Sequence, residues 1–341
     1  MQVTIWLLRD VVLHPRGYYR LARSLAKAFP VQVVGRPLPP VEIEGPLASE
    51  IASEVWEQLC SIPLSSSLSL TFSKRWLPPA PKGGVVICNP IGFLFAALYG
   101  VRPAVWDIWE DYRANFLHDP AYDFFQRLFR LASWEILSPW RGMAYAYGLA
   151  EYAYARLTPL HRSFFIPNAF VKVEDAPPLL PSLTGRYALY TGNLAEGWGL
   201  FEVLEQVLEQ PMVPFVLAGS LKSASIERGI RSYLRRHPAW LWFRSAFVPY
   251  PVVQNLQRYA KFIYAMYKPL PHLRGKIPGK FYEAAALGVP CVYPTGVSPV
   301  WDAFWRRYRE EPDAPELYWS FYEPYLLEGI SRALERSKQR G

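Results

Sequence analysis

Hydrophobic positions along the chain follow two rhythms in alternation. Val3 to Leu8 is a short, mainly apolar run of strand type. Tyr18 to Ala28 places Leu21, Leu25 and Ala28 on one helical face, and Val31 to Val34 is a second strand-type run. Strand, glycine-bearing loop, helix, strand is how a parallel α/β sheet opens. Further runs at Leu68–Phe72, Val85–Cys88 and Ala104–Ile108 read as strands, and Ala48 to Leu59 is helical in pattern. The alternation restarts at Tyr187. Strands are expected at Tyr187–Thr191, Pro214–Ala218, Leu241–Phe243, Lys261–Tyr264 and Cys291–Tyr293. Helices are expected at Leu200–Gln210, Ser225–His237, Val252–Tyr259 and Lys280–Leu287.

Between the two series, Val173 to Thr184 carries Pro177, Pro178 and Pro181 and reads as a linker. The expected fold is therefore α/β with two Rossmann-like lobes: residues 1–172, a linker at 173–184, a second lobe at 185–300, and closing helices over 301–341. Tyr122 to Leu137 is an aromatic helix pattern with Phe124, Phe125, Leu128, Phe129, Ala132 and Ile136. Its first reading is core. A surface facing a membrane or a lipid is the alternative, because Arg127, Arg130 and Arg141 are interleaved.

Composition narrows the class. At 341 residues, with 51% hydrophobic and 19% charged residues, the chain is long enough for two cores and is not of disordered type. It has no run of about 18 uncharged apolar residues, so no spanning helix is expected. The N-terminus lacks a basic n-region and reads as a first strand, not as a signal peptide. Cys60, Cys88 and Cys291 lie far apart without metal-ligand spacing and are expected to be buried thiols of a cytosolic protein. The net charge of +8 favours anionic partners: a nucleotide diphosphate or an acidic membrane face. RNA-binding and zinc-finger signatures are absent, so nucleic acid is not an expected partner.

The stretch that carries candidate chemistry is Lys276-Ile-Pro-Gly-Lys280-Phe-Tyr-Glu283-Ala-Ala-Ala-Leu-Gly288-Val-Pro290-Cys-Val. Three alanines favour a helix, Gly288 suits its C′ position, and Pro290 cannot continue it. A helix N-terminus attracts anions through its free N–H groups and dipole, and Lys280 adds a cation there. Glu283, in the first turn, is placed to accept hydrogen bonds from a sugar diol. The plainer reading makes Glu283 an N3 carboxylate favoured by the dipole and Lys280 a solvated lysine.

This stretch resembles the donor-site segment of GT-B glycosyltransferases of the retaining family four type, where Pro-x-Lys-x-x-Glu precedes a small-residue helix and Gly-x-Pro-Val-Val. The resemblance implies that Glu283 holds the ribose of a nucleotide sugar and that Lys280 faces its diphosphate. It extends to Gly192-Asn193-Leu194, where the family shows Gly-Arg-Leu, and to Gly219, which ends a strand as in the family's Val-Gly-x-Gly. Phe247-Val-Pro249-Tyr250 is similar to the segment that holds the base. The usual arginine position is Asn193 here, and the paired glutamate eight residues before Glu283 is Gly275. Lys276, Arg274 or Lys280 are the candidate substitutes for the diphosphate clamp.

In the first lobe, Trp106-Asp107-Ile-Trp109-Glu110-Asp111-Tyr112 resembles the family's Tyr-Asp-x-His-Glu-Asp-Tyr, with Trp109 at the histidine position. Asp107 and Glu110 are the candidate catalytic carboxylates, and a capping Asp107 beside a solvated Glu110 is the alternative. The first loop lies at the cleft floor in GT-B proteins, which makes His14, Arg16 and Gly17 cleft candidates. The implied activity moves a sugar from a nucleotide diphosphate to a glycan, lipid-linked or small-molecule acceptor. It implies no cofactor and no metal. A GT-B-shaped protein that binds without turnover is the second reading, and a sugar-nucleotide epimerase is the third.

Overall fold

The computed structural model describes residues 2–11, 17–36, 40–61, 66–72, 85–88, 99–100, 105–108, 112–118, 123–137, 143–146, 163–221, 223–245, 248–268 and 270–338. Two sheets organise them. In the first, β1 (Val3–Val11) is flanked on one side by β2 (Val31–Arg36) and then β4 (Leu68–Phe72). On its other side stand β5 (Val85–Cys88), β6 (Val105–Ile108), β7 (Met143–Ala146) and β8 (Ser163–Phe165). Every pairing is parallel, and the winding reverses between β1 and β5. Helix α1 (Gly17–Ala26) lays Leu21, Ala22 and Leu25 against Val3, Ile5, Val31 and Val33, all buried.

The second sheet runs β13-β12-β9-β10-β11-β3. Its parallel strands are β9 (Ala188–Leu194), β10 (Phe215–Leu221), β11 (Trp240–Ser245), β12 (Phe262–Tyr264) and β13 (Cys291–Val292). Alternation along the strands divides the core in two, as period 2 requires. Leu189, Val216, Ala218, Leu241 and Phe243 join one cluster. Ala188, Tyr190, Phe215, Leu217 and Trp242 join the other. Both lobes are thus doubly wound α/β units of Rossmann type.

One segment departs from the expected lobe boundary. Residues 40–60 fell inside the first lobe on the sequence reading, yet β3 (Glu42–Glu44) pairs antiparallel with β11. Helix α2 (Ser53–Cys60) buries Val55 and Leu59 in the second sheet's core, and Trp56 stacks on Phe243 at 5.8 Å. The cause is an edge that needs covering: β11 would otherwise present unpaired backbone groups. Charge fixes the register. Arg231 of α6 (Ala224–Leu234) grips both oxygens of Glu44 at 2.6 and 3.0 Å, while Arg244 pairs with Glu42 and, at 3.1 Å, with Glu227.

The proline-rich crossing at 171–179 has no strand of its own, so side chains of α7 (Tyr250–Arg258) satisfy its backbone. Val173 N–H donates to Gln254 Oε1 at 2.7 Å, and Leu179 N–H donates to Asn255 Oδ1 at 2.9 Å. Asn255 Nδ2 returns a bond to Pro177 O at 2.8 Å, and Arg258 pairs with Asp175. The last helix closes over the first lobe. In α11 (Trp319–Lys338), Leu326 and Ile330 share a core with α1 and β1, while α10 (Pro299–Tyr308) sets Trp301 and Phe304 against Phe281 of the second lobe. Trp319 donates its indole N–H to Ser24 Oγ at 2.7 Å and lies 4.4 Å under the Arg20 guanidinium.

Helices α3 (Tyr112–His118) and α4 (Phe124–Leu137) correct the core reading of the aromatic stretch. Phe124 and Phe125 are 71% and 79% exposed, and Leu128 and Phe129 are 56% and 61% exposed. Periodicity identified the helix, but it does not say which way an apolar face turns. Among the described residues, no helix is long and apolar enough to cross a membrane.

Candidate functional site

Open α/β sheets bind ligands outside the carboxyl ends of their strands, where the winding reverses. In the second sheet that point lies between β9 and β12. The residues that converge there come from four places: the end of β9, the loop after it, the loop after β12, and the first two turns of α9 (Gly279–Leu287). With Pro278 as N-cap, Glu283 is the fifth helical residue, so it stands in the second turn and not at the N3 position that the sequence suggested. Helix α5 (Leu200–Leu208) follows the β9 loop, and the short α8 (Pro271–Arg274) precedes α9.

Helix α9 begins and ends where the sequence says it should. Pro278 is its N-cap, and Gly288 closes it in the left-handed conformation at φ 65°. Lys280 does not lie in solvent: the residue is 4% exposed. Its ammonium sits 4.1 Å from the centre of the Tyr190 ring and 5.1 Å from that of Tyr267, and it donates to Tyr264 O at 3.4 Å. Aromatic faces stabilise a cation by roughly 0.5–2 kcal/mol each, more when water is excluded. The exposed backbone of Gly192 lies against this ammonium; a methyl group there would stand 3.8 Å from Nζ.

Glu283 is 1% exposed, and its Oε2 accepts a 2.6 Å hydrogen bond from Gln257 Nε2. The same amide nitrogen lies 3.5 Å from Thr191 Oγ1, at the end of β9. Gln257 is fully buried, and its Oε1 has no hydrogen-bond partner among the described residues. A buried acceptor without a donor is costly, by about 1–3 kcal/mol, and so is a feature that calls for a function. The carboxylate and the amide oxygen together make a buried acceptor pair beside the switch point.

The loop after β9 is held by close backbone approach. Gly199 has φ 70°, and a Cβ on it would stand 1.3 Å from Met266 O. Gly219 lies so close to β9 that its Cβ would meet Gly192 O at 1.9 Å. Gly219 therefore serves to pack β10 on β9, and its glycine is required whether or not a ligand is near. The Tyr190 hydroxyl ties the loop from below, lying 3.0 Å from Asn193 O and 3.2 Å from Trp198 O. Burial holds the Tyr190 phenol well above its ordinary pKa, so it stays a donor. Lys276 sits 5.5 Å over the Trp198 ring, and its carbonyl accepts from Trp301 Nε1 at 2.6 Å.

Burial also raises the thiol pKa values, Cys60 to about 11 and Cys291 to about 12, which keeps both protonated.

The structure thus brings Gly192, Asn193, Gly219, Lys276, Lys280 and Glu283 to one corner of the second lobe. Tyr250 is elsewhere. Its hydroxyl lies 3.4 Å from Val171 O and 3.1 Å from Gln254 Nε2, beside the crossing between lobes. In the first lobe, Asp107 falls in β6, one strand away from the β1/β5 reversal, and Gly17 opens α1 directly after the β1 loop. The side chain of Asp107 lies outside the described residues, as do His14, Arg16 and Glu110. Sequence reasoning missed Tyr190, Tyr267, Trp198, Thr191 and Gln257.

No known protein family's pattern matches the chain, and no curated relative matches its sequence. Among solved structures it is similar to UDP-N-acetylglucosamine 2-epimerase from Rickettsia bellii, at 11% identity over 98% of this chain and 96% of that one, with a TM-score of 0.49. It is also similar to AviGT4, a glycosyltransferase involved in avilamycin A biosynthesis, at 10% identity over 98% of both chains and a TM-score of 0.49. A third is the catalytic domain of starch synthase IV from Arabidopsis thaliana, bound to ADP and acarbose: 10% identity, 98% of this chain and 99% of that one, TM-score 0.49. Likeness of this degree carries no argument about chemistry. The fold assignment rests on strand order and register, and the site on its geometry.

Proposed function

We propose that the protein is a glycosyltransferase that takes its sugar from a nucleotide diphosphate bound at the β9/β12 reversal. The observation that carries this reading is the pairing of Lys280, the second residue of α9, with Glu283, its fifth, at that reversal and beside the exposed backbone of Gly192. Breaking a glycosyl–phosphate bond builds negative charge on the departing diphosphate. A fixed cation at a helix start is preorganised to meet that charge. The lysine cannot swing away, because two tyrosine rings and a carbonyl hold it. Lys276 supplies a second positive charge at the outer end of the loop, in the role of the arginine that Asn193 lacks.

Glu283 accepts the ribose hydroxyls in this reading, and Gln257 orients it by donating to Oε2. The acceptor, a glycan, a lipid-linked sugar or a small molecule, occupies the first lobe near the ends of β1, β5 and β6. The transfer is retaining, with the leaving phosphate taking the acceptor's proton; in an inverting reaction Asp107 or Glu110 is the base. No bound cofactor takes part. A role in binding without turnover is the competing reading, motivated by Gly275 at the position of the first paired glutamate.

Thermal-shift measurements with UDP-, GDP-, ADP- and dTDP-sugars test the donor half. A ligand that binds only the folded state at about 100 times its Kd adds roughly 2.7 kcal/mol of stability. One nucleotide class is expected to raise the melting temperature, and Lys280→Ala is expected to abolish that rise. Failure of every nucleotide sugar overturns the reading. Binding without release of free nucleotide against a broad acceptor panel selects the binding-only role.

A further inference from the structure

The helix α4 is amphipathic the wrong way round. Phe124, Phe125, Leu128 and Phe129 recur at i, i+1, i+4 and i+5, and at 3.6 residues per turn they cover one face of about 140°. That face is turned outward: all four residues are more than half exposed. Arg127 and Arg130 lie on the other side of the helix and are half-buried, with the Arg130 guanidinium 5.9 Å from the ring of Phe116 in α3; half-buried Leu131 borders Phe124. Leu117 of α3, 40% exposed, adds to the apolar surface. Single exposed apolar residues are ordinary on a protein surface, but four large ones on one helical face mark a binding surface.

We propose that α4 docks the first lobe on the surface of an anionic lipid bilayer, with these side chains inserted at the headgroup–acyl boundary. Two observations select lipid over another occupant. Residues 124–132 contain two arginines and no acidic residue, Arg113 is exposed on the neighbouring α3, and the whole chain carries +8. Such a charge is drawn to an anionic leaflet. A second copy of the chain brings the same arginines and the same net charge to meet themselves, so charge opposes self-pairing through this face. The composition of the face also fits: large apolar rings at the front with cationic groups behind them is the arrangement of a helix lying in an interface. The inference is independent of the donor-site reading. If both hold, the acceptor side of the protein is the side that meets the lipid.

Flotation of the full chain with vesicles tests it. The probes are vesicles of phosphatidylcholine mixed with phosphatidylglycerol, and vesicles of phosphatidylcholine alone. Wild type is expected to float with the mixed vesicles, several-fold less with phosphatidylcholine alone, and less as salt is raised. The double variant Phe125→Ser/Phe129→Ser is expected to lose on the order of a hundredfold in partitioning, from the apolar surface removed. Its melting temperature is expected to stay within a few degrees of wild type, because both side chains are more than half exposed. Met212→Ser, which removes another exposed apolar side chain from the second lobe at 91% exposure, is expected to float as wild type does. Equal flotation of the double variant and wild type, or no flotation of wild type, overturns the proposal. So does a wild-type dimer that the double variant converts to monomer without any lipid association.

Discussion

Two aromatic-rich regions in this molecule have opposite fates. Phe281 of α9 is fully buried among Trp301, Phe304, Trp305 and Tyr293, with ring centres 5.2 to 5.9 Å apart. The rings of α4 face water. Residue type alone does not separate the two, since each helix carries phenylalanine beside a basic residue. What separates them is a partner within the chain. The aromatics of α10 arrive to cover α9, and so fix the helix that carries Lys280 and Glu283. The four large side chains of α4 stay more than half exposed. Buried rings in this chain fasten the donor corner, and exposed rings offer a surface to something else.

The sharpest way to break this comparison is a matched pair of truncations. Phe281→Ala is expected to cost about 3–5 kcal/mol in urea or thermal unfolding, as large core deletions do. Phe125→Ala is expected to stay within about 0.5 kcal/mol of wild type. Similar losses at both positions erase the distinction. Next in size is Gly199→Ala. The added methyl meets the Met266 carbonyl, and the backbone is held in the left-handed region. A loss of roughly 1–3 kcal/mol is expected from the conformation alone, with weaker nucleotide binding as the loop shifts.

The smallest effect concerns pH and sharpens the same contrast. His237 is buried in the second lobe, and burial lowers its pKa below the ordinary 6.5. Below that pH the unfolded chain binds a proton that the folded chain resists. Stability is therefore full above pH 6.5 and falls as pH drops toward the folded pKa, by at most about 1.4 kcal/mol per pH unit. Replacing His237 with Asn is expected to flatten this slope in acid melting curves. Phe125→Ala is expected to leave the slope unchanged, because the titrating group belongs to the packed lobe.

Much of this architecture was legible in the residues. Pro278 and Gly288 bracket α9 because proline and a left-handed glycine act locally, without help from tertiary contacts. The strand and helix rhythm of the second lobe was legible for the same reason. Tyr190 was hidden because its place in a strand pattern explains it fully as core, although its ring also seats Lys280. Gln257 was hidden as one polar residue on a helix, and only the fold turns it inward to Glu283. The contact of Tyr250 with Val171 was hidden as well, because a motif position says nothing of a partner 79 residues away. The pairing of β3 with β11 escaped notice because edge coverage is a long-range contact with no local signature.

The most direct test of the donor corner is calorimetric titration of UDP, GDP, ADP and dTDP into wild type and Glu283→Gln. Glutamine keeps the volume of the side chain while removing its charge. The account predicts that one nucleotide binds wild type and binds Glu283→Gln at least about tenfold more weakly, the loss of a charge-assisted hydrogen bond of about 1.5–3 kcal/mol. Equal affinity in the two proteins, or no binding of any nucleotide to wild type, contradicts it.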